Sequence, residues 1–469
     1  MKYLYNQQCL KSVASMAVLC SALVSTSTQA GYLQNFNEPN SVQLVNALQN
    51  KNLHIVQLGD SHTAGDSLTE AMRTSLQQQL GNGGMGWAMP MYFSGQRMAR
   101  FGYDHHAFQP ISSRNNHQEN YTLGGLIAKP LQQGSTLTLK AKRGDEVEQN
   151  IRLSLRQAQG DGKFIARDAT GKVFNIEAPS KNNTWQLVQF KAKLPVTIQA
   201  QNVTQSAIGG WWAFNAKNTG ATVSALGING AELSHLNRWN SQAWKNELAQ
   251  INPQLVILAY GTNEAYNNVS PEKVRSVLTQ RIQQIRSASP QTAIMILSAP
   301  EALKSINGQC GVRPTQLTTI QQVQKQVAQS QNTLYWDWQQ AMGGQCSMKS
   351  WINQGKASKD GVHFTVKGYT QLGQDLAQDI LALNSLKLNM SEPPTMQSWV
   401  NSNMQQAQDV AMLPTKHTDG TGQDRQQPIG QTPTPVELPH FNPNGLARIC
   451  TEDEQGQQQC QTTPAKNMY

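Results

Sequence analysis

Four short stretches carry the residue types of acyl-transfer chemistry. Gly59-Asp60-Ser61 closes the apolar run Ile55-Val56-Gln57-Leu58. Gly227-Ile228-Asn229-Gly230-Ala231, Gly261-Thr262-Asn263-Glu264 and Asp360-Gly361-Val362-His363 follow in that order. A serine hydroxyl is a weak nucleophile until a base takes its proton, and the imidazolium then formed gains from a nearby carboxylate. A serine where a strand hands over to a helix sits among unpaired N–H groups, which suits an oxyanion intermediate. A glycine lets its own N–H approach a ligand, and an Asn side-chain amide can donate to the same oxygen. Each stretch also has a plain structural reading. Asp, Ser and Asn are routine helix caps, Gly-Ile-Asn-Gly is a turn, and a lone His is usually structural. His62 follows Ser61 directly, but adjacent residues on a tight turn point apart, so it is not assigned as the base.

The elements that must hold these residues are legible from periodicity. A strand over 53–58 leads into a helix in which Leu68, Met72, Leu76 and Leu80 recur every four residues. After about residue 220 buried strands alternate with helices. Val223 to Ile228 is strand-like, and a helix from Ala231 carries Leu233, Leu236, Trp239 and Trp244. Strands at 254–260, 292–298 and 333–338 then alternate with helices near 271–287 and 316–331. Continuously apolar strands separated by helices require a parallel sheet covered on both faces. The expected fold is a three-layer α/β/α sandwich with about five parallel strands, built from 31–88 and 218–385. Between them, 89–217 shows alternating runs such as Ser135 to Lys140, Ile151 to Leu155 and Val196 to Ala200, punctuated by Gly, Asn and Asp. That pattern predicts an inserted antiparallel β-sandwich. Trp185, Trp211, Trp212 and Tyr121 read either as a sugar-stacking platform or as core. Gly81 to Gly86 reads as a flexible loop, and Asp104-His105-His106 as a solvated one.

Composition narrows the setting. The 469 residues carry a net charge of +9, spread without basic runs, which favours an anionic surface or polymer and is too diffuse for nucleic acid. Lys2 and Lys11 precede the apolar stretch Val13 to Val24, and Thr28-Gln29-Ala30 offers a cleavage site. Residues 1–30 are therefore expected to be a signal peptide, since the run is short and Ser-rich for a membrane span. Lipidation at Cys20 is disfavoured by Leu19 before it. Cleavage leaves Cys310, Cys346, Cys450 and Cys460. In an oxidising compartment these can pair in three ways, and proximity favours Cys310 with Cys346 and Cys450 with Cys460. Neither a metal site nor a cofactor is expected. Residues 386–469, rich in Gln, Pro and Thr, read as a largely disordered tail with a possible helix near 395–412.

Taken jointly and in order, the four stretches resemble the blocks of the SGNH (GDSL-type) hydrolase superfamily, over roughly 53–80 and 220–385. The resemblance implies that Ser61 is the nucleophile, His363 the general base and Asp360 its orienting carboxylate. It further implies an oxyanion hole of Ser61 N–H, Gly230 N–H and Asn263 Nδ2. The export signal, the inserted β-domain and the segment Tyr335-Trp336-Asp337-Trp338 to Gly343-Gly344-Gln345-Cys346 look like the periplasmic O-acetylpeptidoglycan esterases. In that family the insertion resembles a carbohydrate-binding module and the reaction removes O-acetyl groups from N-acetylmuramoyl residues. The implied partner is O-acetylated peptidoglycan or a related glycan, met by a periplasmic or secreted monomer with no membrane span left after signal cleavage. A lipase or general carboxylesterase, a glycan O-acetyltransferase with the same triad, and a non-catalytic glycan-binding protein are the competing readings. The Gln/Pro-rich tail has no counterpart in the resemblance.

Overall fold

The Asn52–Gly59 strand lies inside a seven-stranded sheet, and its alternation explains why. Leu53 and Ile55 point into one apolar core, Val56 and Leu58 into another on the opposite face. A strand needs two such cores only if both faces are covered. Across the sheet run Gly220–Gly227, Asn52–Gly59, Leu255–Ala259, Ala293–Leu297 and Leu334–Trp336, all parallel. Leu33–Asn35 and Gln29–Ala30 complete it as antiparallel edge strands. These five parallel strands are the number that the periodicity predicts. The computed structural model describes residues 29–142, 147–203, 205–215, 217, 219–385, 446–452 and 458–464.

Helices Ser41–Gln49, Ser67–Leu80 and Val366–Ala382 cover one face, through Leu44, Met72, Leu76, Leu372 and Leu376. On the other face lie Ser241–Ile251, Pro271–Ala288 and Leu317–Ser330, through Trp244, Leu248, Ile282 and Val327. Full burial of one such aliphatic side chain contributes about 1.5–3 kcal/mol. The helix expected from Ala231 is instead split into a 3₁₀ turn, Leu233–Arg238, and the helix from Ser241. Asn240 divides them, because its side chain caps the second helix by accepting from Ala243 N–H at 2.9 Å.

Two antiparallel sheets occupy the middle of the chain, one of five strands and one of six, the sixth a short strand attached beside its five-strand path. That short strand, Gly86–Ala88, pairs with Trp211 to Ala213, so the antiparallel region takes in residues expected in the preceding segment. The glycine run before it is bonded rather than loose: Gly83 N–H donates to Ala221 O at 3.0 Å and Gly84 N–H to Asn82 Oδ1 at 2.9 Å. Asp104, His105 and His106 are exposed as expected, but on an edge strand, Phe101–His106, and not in a loop. Trp211, Trp212 and Tyr121 are fully buried and Trp185 nearly so. The sugar-stacking platform is therefore excluded for these four residues, which are core.

That core is continuous with the one beneath the parallel sheet, running from Val56 and Leu258 to Trp87, Leu153 and Trp212. At the junction sits the buried carboxyl of Glu247. It accepts from Trp212 Nε1 at 2.7 Å and from the hydroxyls of Thr122 and Ser154. Burial raises its pKa against the lowering effect of these bonds.

By internal contacts the chain divides into two units, Met1–Thr395 and Met396–Tyr469. In the second, Leu446–Glu452 pairs antiparallel with Gln458–Pro464, with Cys450 opposite Cys460. The expected signal peptide (but for Gln29 and Ala30) and the possible helix near 395–412 lie outside the described residues. Among the described residues no helix is long and apolar enough to cross a membrane.

Glu247→Ala leaves three buried donors without an acceptor, each costing about 1–3 kcal/mol. The expected outcome is a loss of about 3 kcal/mol or more, read from urea unfolding. Tryptophan fluorescence and far-UV dichroism should shift together, because both sheet systems rest on one core.

Candidate active site

Three of the four stretches are brought level by strand register. Gly59 pairs with Gly227 on one side and with Ala259 on the other, so the chain leaves all three strands at the same edge. Asp60 then caps a single helical turn, Ser61–Ala64, its carboxyl accepting from His62 N–H at 3.0 Å. Gly65 and Asp66, the latter at φ +50°, redirect the chain before the longer helix begins at Ser67. The turn sits directly on Gly227, where an added Cβ would lie 2.1 Å from Ala64 N. Ser61 N–H is the first amide of this turn, which the turn itself cannot satisfy.

The fourth stretch arrives from the loop between the Ser347–Asn353 helix and the Val366–Ala382 helix. Asp360 organises it: Oδ1 accepts from the backbone N–H groups of Val362 and His363, both at 2.9 Å. This tight turn swings Oδ2 onto His363 Nδ1 at 2.8 Å. His363 Nε2 in turn lies 2.9 Å from Ser61 Oγ. Ser61, His363 and Asp360 are thus joined in one hydrogen-bonded series. Partial burial raises the Asp360 pKa, but the bonds from Val362 and His363 outweigh it and hold the carboxyl below its ordinary range. His363 and Asp360 remain 42% and 48% exposed, so water and substrate reach them.

Ser61 and His363 open onto a pocket of about 820 Å³, whose wall also includes Arg97, Asn229, Gly230 and Asn263. Gly230 takes φ +66°, a conformation glycine adopts without strain. Its N–H meets no acceptor among the described residues. Asn263 borders the pocket as expected, but its amide is engaged, donating to Ala231 O at 3.0 Å and more weakly to Asp60 Oδ2 at 3.3 Å. Burial, opposed by the bond from His62 and reinforced by nearby Glu264, pushes the Asp60 carboxyl up to about 8. Burial likewise takes Glu264 up to about 7.

His62 is a wall behind the base. It is buried, its Nδ1 is 2.8 Å from Tyr369 Oη, and its ring lies 5.4 Å from that of His363. Burial, with the neighbouring imidazole, lowers its pKa to about 3 and keeps it neutral. Sequence spacing does not reveal Tyr369, Tyr266 or the arginines at the rim, because their positions depend on long-range packing alone.

Comparison with known proteins follows this geometry. The family model described as the N-terminal part of peptidoglycan O-acetylesterase matches residues 83–197, and that of the GDSL-like lipase/acylhydrolase family matches 199–371. A solved structure titled "Peptidoglycan O-acetylesterase in action, 5 min" is 38% identical, with a TM-score of 0.69, over 76% of this chain and 99% of that one. The chain belongs to the peptidoglycan O-acetylesterase family. Two more distant structures also match. A putative GDSL-like lipase from Parabacteroides merdae is 15% identical, with a TM-score of 0.29, over 35% of this chain and 74% of its own. A family two carbohydrate esterase from Cellvibrio japonicus is 9% identical, with a TM-score of 0.26, over 60% and 98%. No curated protein sequence matches the chain.

Cys310 and Cys346 are joined as a disulfide, with Cα atoms 4.8 Å apart. The segment it anchors in this esterase fold backs onto the Asp360 loop. Leu303 N–H donates to Gly361 O at 2.8 Å, and Leu303 O accepts from Tyr266 Oη at 2.6 Å. Buried Glu301 ties the two half-cystine segments, accepting from Cys346 N–H at 3.2 Å and from Arg313. Replacing both cysteines by serine opens a loop of separation 36. The expected cost is up to about 4 kcal/mol in urea unfolding. Hydrolysis of p-nitrophenyl acetate should fall in denaturant concentrations below the global transition, because the Asp360 loop loosens first.

Proposed function

We propose that this protein is a serine esterase that removes O-acetyl groups from N-acetylmuramoyl residues of peptidoglycan through an acetyl-enzyme intermediate. The observation that carries the reading is the hydrogen-bonded series from Ser61 through His363 to Asp360 at an open pocket. Family membership supplies the substrate class.

In this reading His363 Nε2 takes the Ser61 proton as Oγ attacks the acetyl carbonyl carbon. The carbonyl electron pair moves onto oxygen, and the N–H groups of Ser61 and Gly230 receive that oxyanion. Asn263 joins them by yielding its long contact to Asp60, the weaker of its two bonds. Collapse breaks the bond to the sugar oxygen, and His363 returns its proton to the departing hydroxyl. Water then attacks acetyl-Ser61 by the same route and acetate leaves. Asp360 holds the Nδ1 proton and so keeps Nε2 free to act as base.

Exposure of His363 gives water access to the acyl-enzyme, which favours hydrolysis over transfer. Polar side chains of Ser67, Arg97, Asn229 and Asn267 share the wall with Phe364 and Val366, which suits a short acyl group on a hydrated glycan better than a fatty chain. Export by the expected N-terminal signal would bring the enzyme to that polymer.

Ser61→Ala and His363→Ala are expected to lower kcat by about 10⁴–10⁶, and Asp360→Asn by less. Asn263→Ala should lower kcat by about 10²–10³ with KM nearly constant. Acetate release from O-acetylated peptidoglycan, alongside p-nitrophenyl acetate hydrolysis, measures both. Activity of Ser61→Ala within tenfold of the parent would exclude Ser61 as nucleophile.

A further inference from the structure

Two exposed arginine side chains, one in the pocket wall and one over the wall residue Gly230, make no hydrogen bond or ion pair among the described residues. Arg97 lines the pocket and is exposed. Arg114, also exposed, comes from the antiparallel region just after the Phe108–Ser112 strand. Its guanidinium lies over Gly230: a Cβ placed there would be 2.6 Å from Nη2 and 2.7 Å from Cζ. Gly230, in the pocket wall, is thus a glycine with an arginine in the space of its missing side chain.

The backbone that carries Arg114 is held in place. Arg238 Nη1 donates to Ser113 O at 2.8 Å and to Arg114 O at 2.5 Å, and Trp239 Nε1 donates to Ser113 Oγ at 3.1 Å. The segment bearing Arg97 is tied to the stretch over which Arg114 lies: Asn229 Nδ2, next to Gly230, donates to Gly95 O at 2.7 Å. No Asp or Glu lines the pocket among the described residues. Glu232, two residues beyond Gly230, is engaged by Ser234 and Asn267. Exposed, charged and without protein partners, the guanidiniums present donors in the planar fork that carboxylates match.

We propose that Arg114, with Arg97, is a specificity-determining pair that binds a carboxylate of the acetylated polymer and so positions the ester over Ser61. Peptidoglycan carries carboxylates on the peptides attached to its muramoyl sugars, whereas neutral acetylated polysaccharides do not. The inference rests on the esterase reading above and names the feature of the substrate that the site selects.

The test uses the full chain and two polymers: O-acetylated peptidoglycan, and the same material with its carboxylates converted to neutral amides by carbodiimide and ethanolamine. p-Nitrophenyl acetate is the charge-free reference. For the parent, KM is expected to be about tenfold lower on the native polymer than on the amidated one, and this preference should weaken as salt is raised. Arg114→Gln combined with Arg97→Gln should raise KM on the native polymer to the amidated value while kcat holds within about threefold. Arg114→Lys should restore part of the preference. The polymer efficiency relative to p-nitrophenyl acetate then falls about tenfold in the Gln variant. Equal losses on both polymers and on p-nitrophenyl acetate would overturn the assignment, because they indicate support of the pocket only. A parent that deacetylates both polymers with one KM also overturns it and leaves the esterase reading intact. A parent that hydrolyses p-nitrophenyl acetate but releases no acetate from native peptidoglycan overturns both.

Discussion

Backbone hydrogen bonds between three parallel strands that end level are the constraint on which this molecule depends. Gly59 stands opposite both Gly227 and Ala259, so three chain exits converge on one edge of the sheet. A shift of one residue would turn the side chains to the opposite face. It would drive Leu53 and Ile55 toward the core that receives Val56 and Leu58, and two filled cores forbid that. Ser61, Gly230 and Asn263 owe their common pocket to this register. The glycines at the strand ends permit the close approach, as the seating of the Ser61 turn on Gly227 shows.

Onto this edge the fourth stretch brings a charge arrangement made almost locally. Asp360 folds its own turn and orients His363 within three residues. The surrounding buried groups are kept neutral by desolvation: His62 because its charged form is its protonated one, Asp60 because its charged form is its deprotonated one. Charge at the site is therefore concentrated in the exposed pair and the two rim arginines.

The antiparallel sheets belong to the same energetic body. Their tryptophans fill a core shared with the parallel sheet, and Glu247 joins the two through three donors. Such sharing fixes loops from the antiparallel region relative to Ser61 far more tightly than a tethered module would. Arg114 lies over Gly230 for that reason, carried on a backbone that Arg238 and Trp239 clamp.

The residues show how far the chain is legible unfolded. Periodicity alone identifies the five parallel strands, the helix of Leu68, Met72, Leu76 and Leu80, and the antiparallel insertion, because burial imposes periods of 3.6 and 2 directly on the order of residues. The Asp360–His363 pairing is equally local, a carboxyl three residues from the imidazole it orients. What depends on distant packing is not legible. The burial of Trp211 and Trp212 in place of an exposed sugar platform, and the engagement of the Asn263 amide by Asp60 and Ala231, turn on neighbours far along the chain. The same holds for Arg114 over Gly230, residues separated by more than a hundred positions that only the shared core brings together. Sequence by itself determined which elements the chain forms and which residue types stand at their ends. Tertiary structure decided which groups face one another, since side-chain contact is set by the register and packing of strands whose partners no local pattern names.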